Sequence, residues 1–409
     1  MLLKVKDIAE VLQIMKEQFW EYPADVEEVE LMDAPGRMPC EDIRAACNIP
    51  GFDKSVVDGY AVKSRDTFGA GDSMPALLQK INEVSVGSRA GIRIQEDQCA
   101  YVPTGGMLPP GSDAVVMIED TEDLGNNSIA VYKPVGPWDN TIKNGEDIMT
   151  GQVVLKRGIP IKPHHIGVLA SIGLNTVRVQ KKPEVSIIST GDELVEPGKE
   201  LSPGKIWDIN SYSLAAAVIE DGGIPVLKGI VGDDRAAIKG SVIDAMAASD
   251  VVLISGGSSA GTRDYTADII TELGKPGVLV HGISIKPGKP TIIGSVAGKP
   301  VIGMPGQPVS SLVVYNVVVS PLIRRMAGHT EKEQTLLPAV CDENYYSSPG
   351  REEYLMVTVY RGQDEKMRVR PVSGKSGMIT TISSANGMVV ISKNKEGLYK
   401  DEEVQVILL

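Results

Sequence analysis

Acidic residues set among glycine-rich turns are the most chemically suggestive feature of this 409-residue chain. Asp192 and Glu193 follow the β-branched run VSIIST, Asp233 and Asp234 follow IPVLKGIVG, and Asp264 follows VVLISGGSSAGTR, while Asp208 and Asn210 precede a helical pattern. Ser255, Gly256, Gly257, Ser258, Ser259 and Gly261 form a run that can turn successive backbone N–H groups toward one point, ahead of a helix whose N-terminus is partly positive. Phosphate or another oxyanion fits such a turn, although a plain tight turn would use the same residues. Lys286 and Lys289, separated by Pro287 and Gly288, bring two ammonium groups to one rim. In PGQPVSS, Pro305 and Gly306 make a second turn, with Pro308 and Ser310 opening a helix. Carboxylates beside an anion cradle point to a bridging divalent cation, and Glu193, Asp233 and Asp264 are hard-oxygen ligands suited to Mg2+. Taken singly, each acid would serve equally well as a helix cap.

Two upstream stretches carry similar chemistry. PGFDKSVVDGYAV holds Asp53, Ser55, Asp58 and Tyr60, with Asp58-Gly59 reading as a turn before a strand. YVPTGGMLPPGSDAVVMIED sets Thr104 beside two glycines, and NGEDI supplies Glu146 and Asp147. Ordinary turn chemistry accounts for each acid alone, and general-base or metal work suits the same residue types.

The elements that must position these groups follow from periodicity. From Val185 to about Met326, short β-branched runs alternate with amphipathic helices, which predicts a doubly wound α/β domain with a largely parallel sheet. Ligands in such a sheet bind outside the carboxyl ends of the strands, where most of the acids and glycines fall. Residues 49–147 show short β-like runs and no long helical pattern, predicting a small β-rich domain. EEYLMVTVYR, MRVRPVS, GMVVISK and EVQVILL predict a C-terminal β-barrel. Near the start, Asp7 is placed to cap a helix carrying Ile8, Val11, Leu12, Met15 and Phe19, with Glu10 able to bond back to the cap. Glu27 to Leu31 reads as a strand, and Pro163 opens a further helix.

Composition narrows the partners. With 41 Lys+Arg against 53 Asp+Glu, a net charge of −12 and 4% aromatics, the chain has neither the basic groove nor the stacking rings of a nonspecific nucleic-acid binder. The same charge disfavours an anionic membrane surface, so a phosphorylated ligand needs local cations and N–H groups. Cys40, Cys47, Cys99 and Cys341 form no C-x-x-C, so buried reduced thiols are expected rather than disulfides or zinc. MLLKVKDIAE turns polar too early for a signal peptide, and the apolar stretch at 311–323 contains Asn316 and is too short to span a bilayer. A cytoplasmic location is expected.

In order along the chain, GRMPCEDIRA, PGFDKSVVDGYAV, YVPTGGMLPPGSDAVV, NGEDI, STGDEL, WDINS, SGGSSAGTRDYT, IKPGKP and GMPGQPVSS resemble the motifs of the molybdopterin molybdenumtransferases, the MoeA family, which also includes the C-terminal E domain of gephyrin. The resemblance implies an elongated N-terminal domain (1–48 plus 148–180), a β-rich second domain (49–147), an α/β molybdopterin-binding domain (181–328) and a C-terminal β-barrel (329–409). It implies insertion of molybdate into adenylylated molybdopterin, with cleavage of the adenylyl group in the presence of a divalent cation and release of AMP. It also implies a homodimer in which the second domain of one subunit faces the α/β domain of the other, and a molybdopterin adenylyltransferase as the natural upstream partner. By motif, the family's important acids fall on Asp58, Asp147, Glu193, Asp233 and Asp264, and further ligand-binding positions on Thr104, Lys286, Lys289 and Ser376.

Three positions depart from the family pattern: Ile142 where an arginine is common, Gly282 where some members carry a lysine, and Gln307 where asparagine is usual. They bear on oxyanion binding and leave the acidic set intact. Tungstate is as acceptable as molybdate to a site read at this level. Two other functions share part of the motif set, a molybdopterin adenylyltransferase and a gephyrin-like scaffold. The first has no need of PGFDKSVVDGYAV or the barrel, and the second has no need of the acidic loops.

Overall fold

The apolar spacing near the N-terminus produces the helix Ile8–Phe19, and its stripe of Val11, Met15 and Phe19 is buried in one core with Val185, Leu214, Val313 and Val318. This helix therefore packs on the α/β unit. Asp7 stands at its N-cap position without a side-chain bond to the helix: its carboxylate pairs with Lys393 of the C-terminal module at 2.7 Å, and Glu10 pairs with Lys6. Charge-assisted bonds to lysines replace the expected reciprocal cap. The computed structural model describes residues 5–21, 25–256, 262–329, 336–372, 374 and 377–409, the side chains of 262–264 excepted.

Beyond that helix, Val26–Glu30 pairs antiparallel with Thr176–Gln180, and Ile43–Arg44 with Val153–Leu155. The chain thus leaves and rejoins the same small unit, where Pro163 occupies the first turn of the helix Pro163–Ser171. The intervening segment folds as a six-stranded sheet in the spatial order Ala114–Met117, Gly59–Val62, Gln98–Val102, Ala76–Glu83, Ser128–Val131 and Thr121–Asp123. A separate ribbon pairs Lys54–Ser55 with Thr141–Ile142 and ties the stretch before Asp58 to the stretch before Asp147.

The α/β unit holds a six-stranded sheet ordered Ile224–Val231, Glu184–Thr190, Val251–Gly256, Lys299–Met304, Ile292–Val296 and Pro276–His281. The first four strands are parallel neighbours, while the last two are antiparallel. VVLIS is buried throughout, as a central strand covered by helices on both faces must be. The largely parallel sheet expected from the alternation is present, with an antiparallel edge where two strands follow each other through the short 297–298 turn instead of a crossover helix.

The C-terminal strands Leu336–Cys341, Glu352–Arg361, Met367–Pro371, Gly387–Ile391 and Glu403–Leu408 form a closed barrel, because Glu352–Arg361 pairs with both Met367–Pro371 and Gly387–Ile391. The short strand Ile285–Lys286 of the α/β unit adds in parallel to Glu352–Arg361. Among the described residues, no helix is long and apolar enough to cross a membrane.

Candidate functional site

Parallel pairing gives four neighbouring strands a common carboxyl edge. Thr190 is in register with Val231 on one side and Gly256 on the other, and Ser255 with Met304. Asp192 and Glu193, Asp233, Gly256, and Pro305 with Gly306 therefore leave the sheet along one line. Lys286 and Lys289 reach the same edge by a different route. They precede the strand Ile292–Val296, which runs antiparallel to Lys299–Met304 with Ile292 opposite Gly303, so its amino end lies where the other strands have their carboxyl ends.

A cavity of about 420 Å³ opens at this edge. The turn 286–290, the turn 303–307, Gly256, Thr266 and Ser310 line it, and Arg351 reaches it from the barrel. Three cations, Lys286, Lys289 and Arg351, thus border one space. Arg351 escapes sequence reasoning because it precedes a barrel strand; only the pairing of that strand with Ile285–Lys286 brings it here. Lys286 also bonds Glu353 at 2.9 Å.

Two features hold the cavity's walls in place. Gly256 has φ +151°, and a Cβ there would stand 2.1 Å from the Thr190 carbonyl oxygen, so only glycine allows the two strand ends to approach. Asn210, buried at the start of the helix Asn210–Glu220, donates from Nδ2 to Ser255 Oγ at 2.9 Å and to the Gly306 carbonyl at 2.8 Å. One amide therefore links the strand end before the glycine-serine run to the turn that begins the next helix. Ser255 is buried and its hydroxyl is engaged by Asn210, so its part is in the wall.

The acids of the α/β unit do not act alike. Asp234 caps the helix Arg235–Ala248 by accepting from the Ala237 N–H. Asp192 accepts the Asp233 N–H at 3.1 Å, and the Lys205 ammonium bonds its carbonyl. Asp233 is left with a buried Oδ1 that has no hydrogen-bond partner. Burial first, then the negative charges of Asp192 and Glu193, push its carboxyl above the ordinary range. An orphaned carboxylate oxygen beside two further acids is a donor set whose chemistry suits Mg2+. Among the described residues, no three acids, histidines or cysteines already converge as a metal cage. Asp264 falls in the helix Thr262–Leu273, with its side chain outside the described residues, as are Gly257, Ser258, Ser259, Gly261 and Ser376.

In the β-rich unit, Asp58 Oδ1 accepts the Thr104 N–H at 2.7 Å and the Thr104 hydroxyl at 3.0 Å. The backbone bond and then the hydroxyl bond hold the Asp58 carboxyl below its usual value. Asp58 lies in a bend, and Gly59 already belongs to the strand Gly59–Val62. Asp53 has the turn role, accepting the Asn144 N–H at 2.8 Å, and Glu146 likewise accepts the Lys143 N–H at 2.8 Å. Asp147 is exposed, with its backbone N–H on the Ile49 carbonyl. No residue of 49–147 lines the cavity.

The departures from the family pattern have local settings. Ile142 pairs with Lys54 in the two-stranded ribbon. Gly282 has φ +98° and its carbonyl accepts the Lys6 N–H, a backbone conformation that lysine would adopt only with strain. Gln307 lines the cavity immediately ahead of Pro308.

Known proteins resemble this chain over most of its length. Residues 6–173 match the MoeA N-terminal region (domain I and II), residues 186–325 a probable molybdopterin binding domain, and residues 338–409 the MoeA C-terminal region (domain IV). A putative molybdopterin biosynthesis protein of Methanocaldococcus jannaschii is 35% identical, covering 94% of this chain and 92% of its own. A molybdopterin molybdenumtransferase of Haemophilus influenzae is 30% identical over 94% of each chain. The crystal structure of a molybdopterin biosynthesis MoeA protein from Pyrococcus horikosii superposes with a TM-score of 0.90 at 38% identity, covering 99% of both chains.

Proposed function

This chain belongs to the MoeA family of molybdopterin molybdenumtransferases, and we propose that it inserts molybdate into adenylylated molybdopterin, cleaving the adenylyl group and releasing AMP. It is a transferase of molybdenum cofactor biosynthesis. The observation that carries the finer reading is the cavity at the sheet edge, bordered by Lys286, Lys289 and Arg351, with Asp192, Glu193 and Asp233 outside its lining in the turns that follow two neighbouring parallel strands. Cations and N–H groups hold an anionic ligand, and acids stand ready to manage charge at the bond that breaks.

In this reading the 286–290 and 305–307 turns, with Gly257, Ser258 and Gly261, bind the phosphates of the pterin nucleotide, and Thr104 and Ser376 contribute further ligand contacts. Glu193, Asp233 and Asp264 would hold Mg2+, which when bound neutralises charge on the pyrophosphate. Glu193 also orients the oxygen that attacks phosphorus as the bond to AMP breaks. Burial and neighbouring acids raise the Asp233 carboxyl, whereas the Thr104 bonds lower that of Asp58. Asp58 stays ionised and accepts or relays protons, together with Asp147, as molybdate loses oxo groups.

Because none of 49–147 lines the cavity of its own chain, Asp58 and Asp147 would enter from a second copy, making the working unit a homodimer. A cytoplasmic setting and supply of substrate by a molybdopterin adenylyltransferase complete the proposal. Purified protein given adenylylated molybdopterin, Mg2+ and molybdate should consume the nucleotide and release AMP. Accumulation of adenylylated pterin from molybdopterin and Mg-ATP would instead establish an adenylyltransferase. Running the first assay with tungstate measures which oxyanion is preferred.

A further inference from the structure

Behind the cavity's rim, the barrel sets a buried carboxylate against one of the lining lysines. Glu353 has a side chain 5% exposed, while that of its partner Lys286 is 41% exposed. Its two oxygens are shared among three donors. Tyr345 donates from its hydroxyl at 2.8 Å, the Ser347 hydroxyl bonds the other oxygen, and the Lys286 ammonium lies 2.9 Å from the oxygen that Tyr345 also bonds. The Tyr345 phenol is driven upward in pKa by burial and then by this bond, so it remains a donor across the physiological range. Glu353 is thus fixed before Lys286 is considered.

Lys286 is the mobile member. A lysine ammonium on a four-carbon stem has many rotamers, and holding it in one costs side-chain entropy. Parallel pairing sets Lys286 opposite Glu353 in register, so the contact follows from the backbone seam between the α/β unit and the barrel. The same strand start delivers Arg351 to the cavity. Among the described residues, Lys289 and Arg351 form no ion pair, which leaves Lys286 as the one cavity cation tethered to an acid.

We propose that Glu353 is a positioning residue: from the barrel it holds the Lys286 ammonium at the cavity rim, in the orientation in which its remaining N–H groups meet a tetrahedral oxyanion group of the substrate. The oxyanion is either a phosphate of the pterin nucleotide or molybdate, which share this chemistry. Glu353 itself touches no substrate. The inference rests on the reading of Lys286 as an anion-binding residue.

The test is a double-mutant cycle on the full chain, with KM for the pterin nucleotide measured at saturating molybdate and KM for molybdate at saturating nucleotide. Glu353→Gln keeps the shape and removes the charge that holds Lys286; it should raise one of the two KM values about fivefold, as for one partly solvent-screened bond, with kcat within about twofold. The KM that moves identifies the oxyanion. Lys286→Met should raise the same KM further, and the double variant should equal Lys286→Met alone, because a positioning residue has nothing left to position. Fully additive effects, or an unchanged KM in Glu353→Gln while Lys286→Met raises it, overturn the proposal and leave the anion site standing. Unchanged KM values in Lys286→Met remove the anion site and the proposal together. Should Glu353→Gln not fold, Tyr345→Phe loosens the same carboxylate more gently; a rise of about twofold in the same KM supports the proposal and no rise overturns it.

Discussion

Asp58 takes two hydrogen bonds from a single residue: its Oδ1 accepts both the N–H of Thr104, at 2.7 Å, and the Thr104 hydroxyl, at 3.0 Å. Both favour the ionised carboxyl, and the backbone bond contributes more. Thr104→Val removes only the hydroxyl, so the Asp58 pKa should climb part of the way back to its ordinary value. A depressed carboxyl is lost as a base when pH falls through its folded pKa. The acid limb of the kcat profile should therefore move to higher pH in Thr104→Val, while activity near neutrality changes little. Asp58→Asn should lower kcat by about 10²–10⁴-fold, the usual range for a proton-handling group. An acid limb that stays in place in Thr104→Val would separate Asp58 from the titration that limits the rate.

Asn210 supplies a prediction about geometry rather than charge. Its Nδ2 joins Ser255 to Gly306, so Asn210→Ala leaves a buried hydroxyl and a half-buried carbonyl without that donor, at a cost of about 1–3 kcal/mol. The two turns it ties should loosen, raising KM for the pterin nucleotide roughly tenfold. Asn210→Asp is the sharper variant, since an ionised carboxylate accepts but cannot donate. It should be no better than alanine. Wild-type KM in the aspartate variant would mean that the bridge does not shape the cavity.

The chain displays its loops more openly than the contacts between them. Glycine, proline and acid clusters mark the 190–193, 231–234, 255–264 and 286–289 turns, and the β-branched alternation places them at one sheet edge. Three things are hidden from that reading. The strand Ile292–Val296 is antiparallel, which periodicity cannot distinguish from parallel, and that reversal carries Lys286 to the site. Arg351 and Glu353 belong by pattern to the barrel, and only register across the seam connects them with the cavity. Asp7 has every local mark of a cap, yet a lysine 386 positions away takes its carboxylate. In each case a tertiary contact decides what local spacing leaves open.

The four cysteines divide by environment. All are free thiols; Cys99 and Cys341 are buried, Cys40 is half-buried and Cys47 is exposed, so the expected burial holds for only part of the set. Burial pushes the Cys99 thiol up to about 12, and burial raises Cys341 against a hydrogen bond to the Glu343 carbonyl. Since the thiolate is the reactive form, Cys47 should react promptly with a thiol reagent in the native protein, Cys40 more slowly, and the other two only after unfolding. Mass mapping of the modified peptides checks the order. Rapid native labelling of Cys99 would contradict its enclosure in the β-rich core.

Asp233 joins proton binding to metal binding in one measurement. Its folded pKa is raised by burial first and by Asp192 and Glu193 next, so the folded state binds this proton more tightly than the unfolded chain does. The resulting stability is fully present below the unfolded carboxylate pKa and is lost as pH rises through the folded one. Above that folded pKa the ionised Asp233 is therefore a local liability. Asp233→Asn should raise Tm by roughly 1–3 °C there, in chelator, with the advantage vanishing below about pH 4. Added Mg2+ should reverse the ranking: a cation held by Asp233 stabilises the wild type in proportion to the logarithm of its concentration over Kd, and the asparagine variant should gain less. A variant that is less stable in chelator at neutral pH would contradict the charge crowding. Equal Mg2+ gains in both proteins would remove Asp233 from the metal site while leaving its proton chemistry in place.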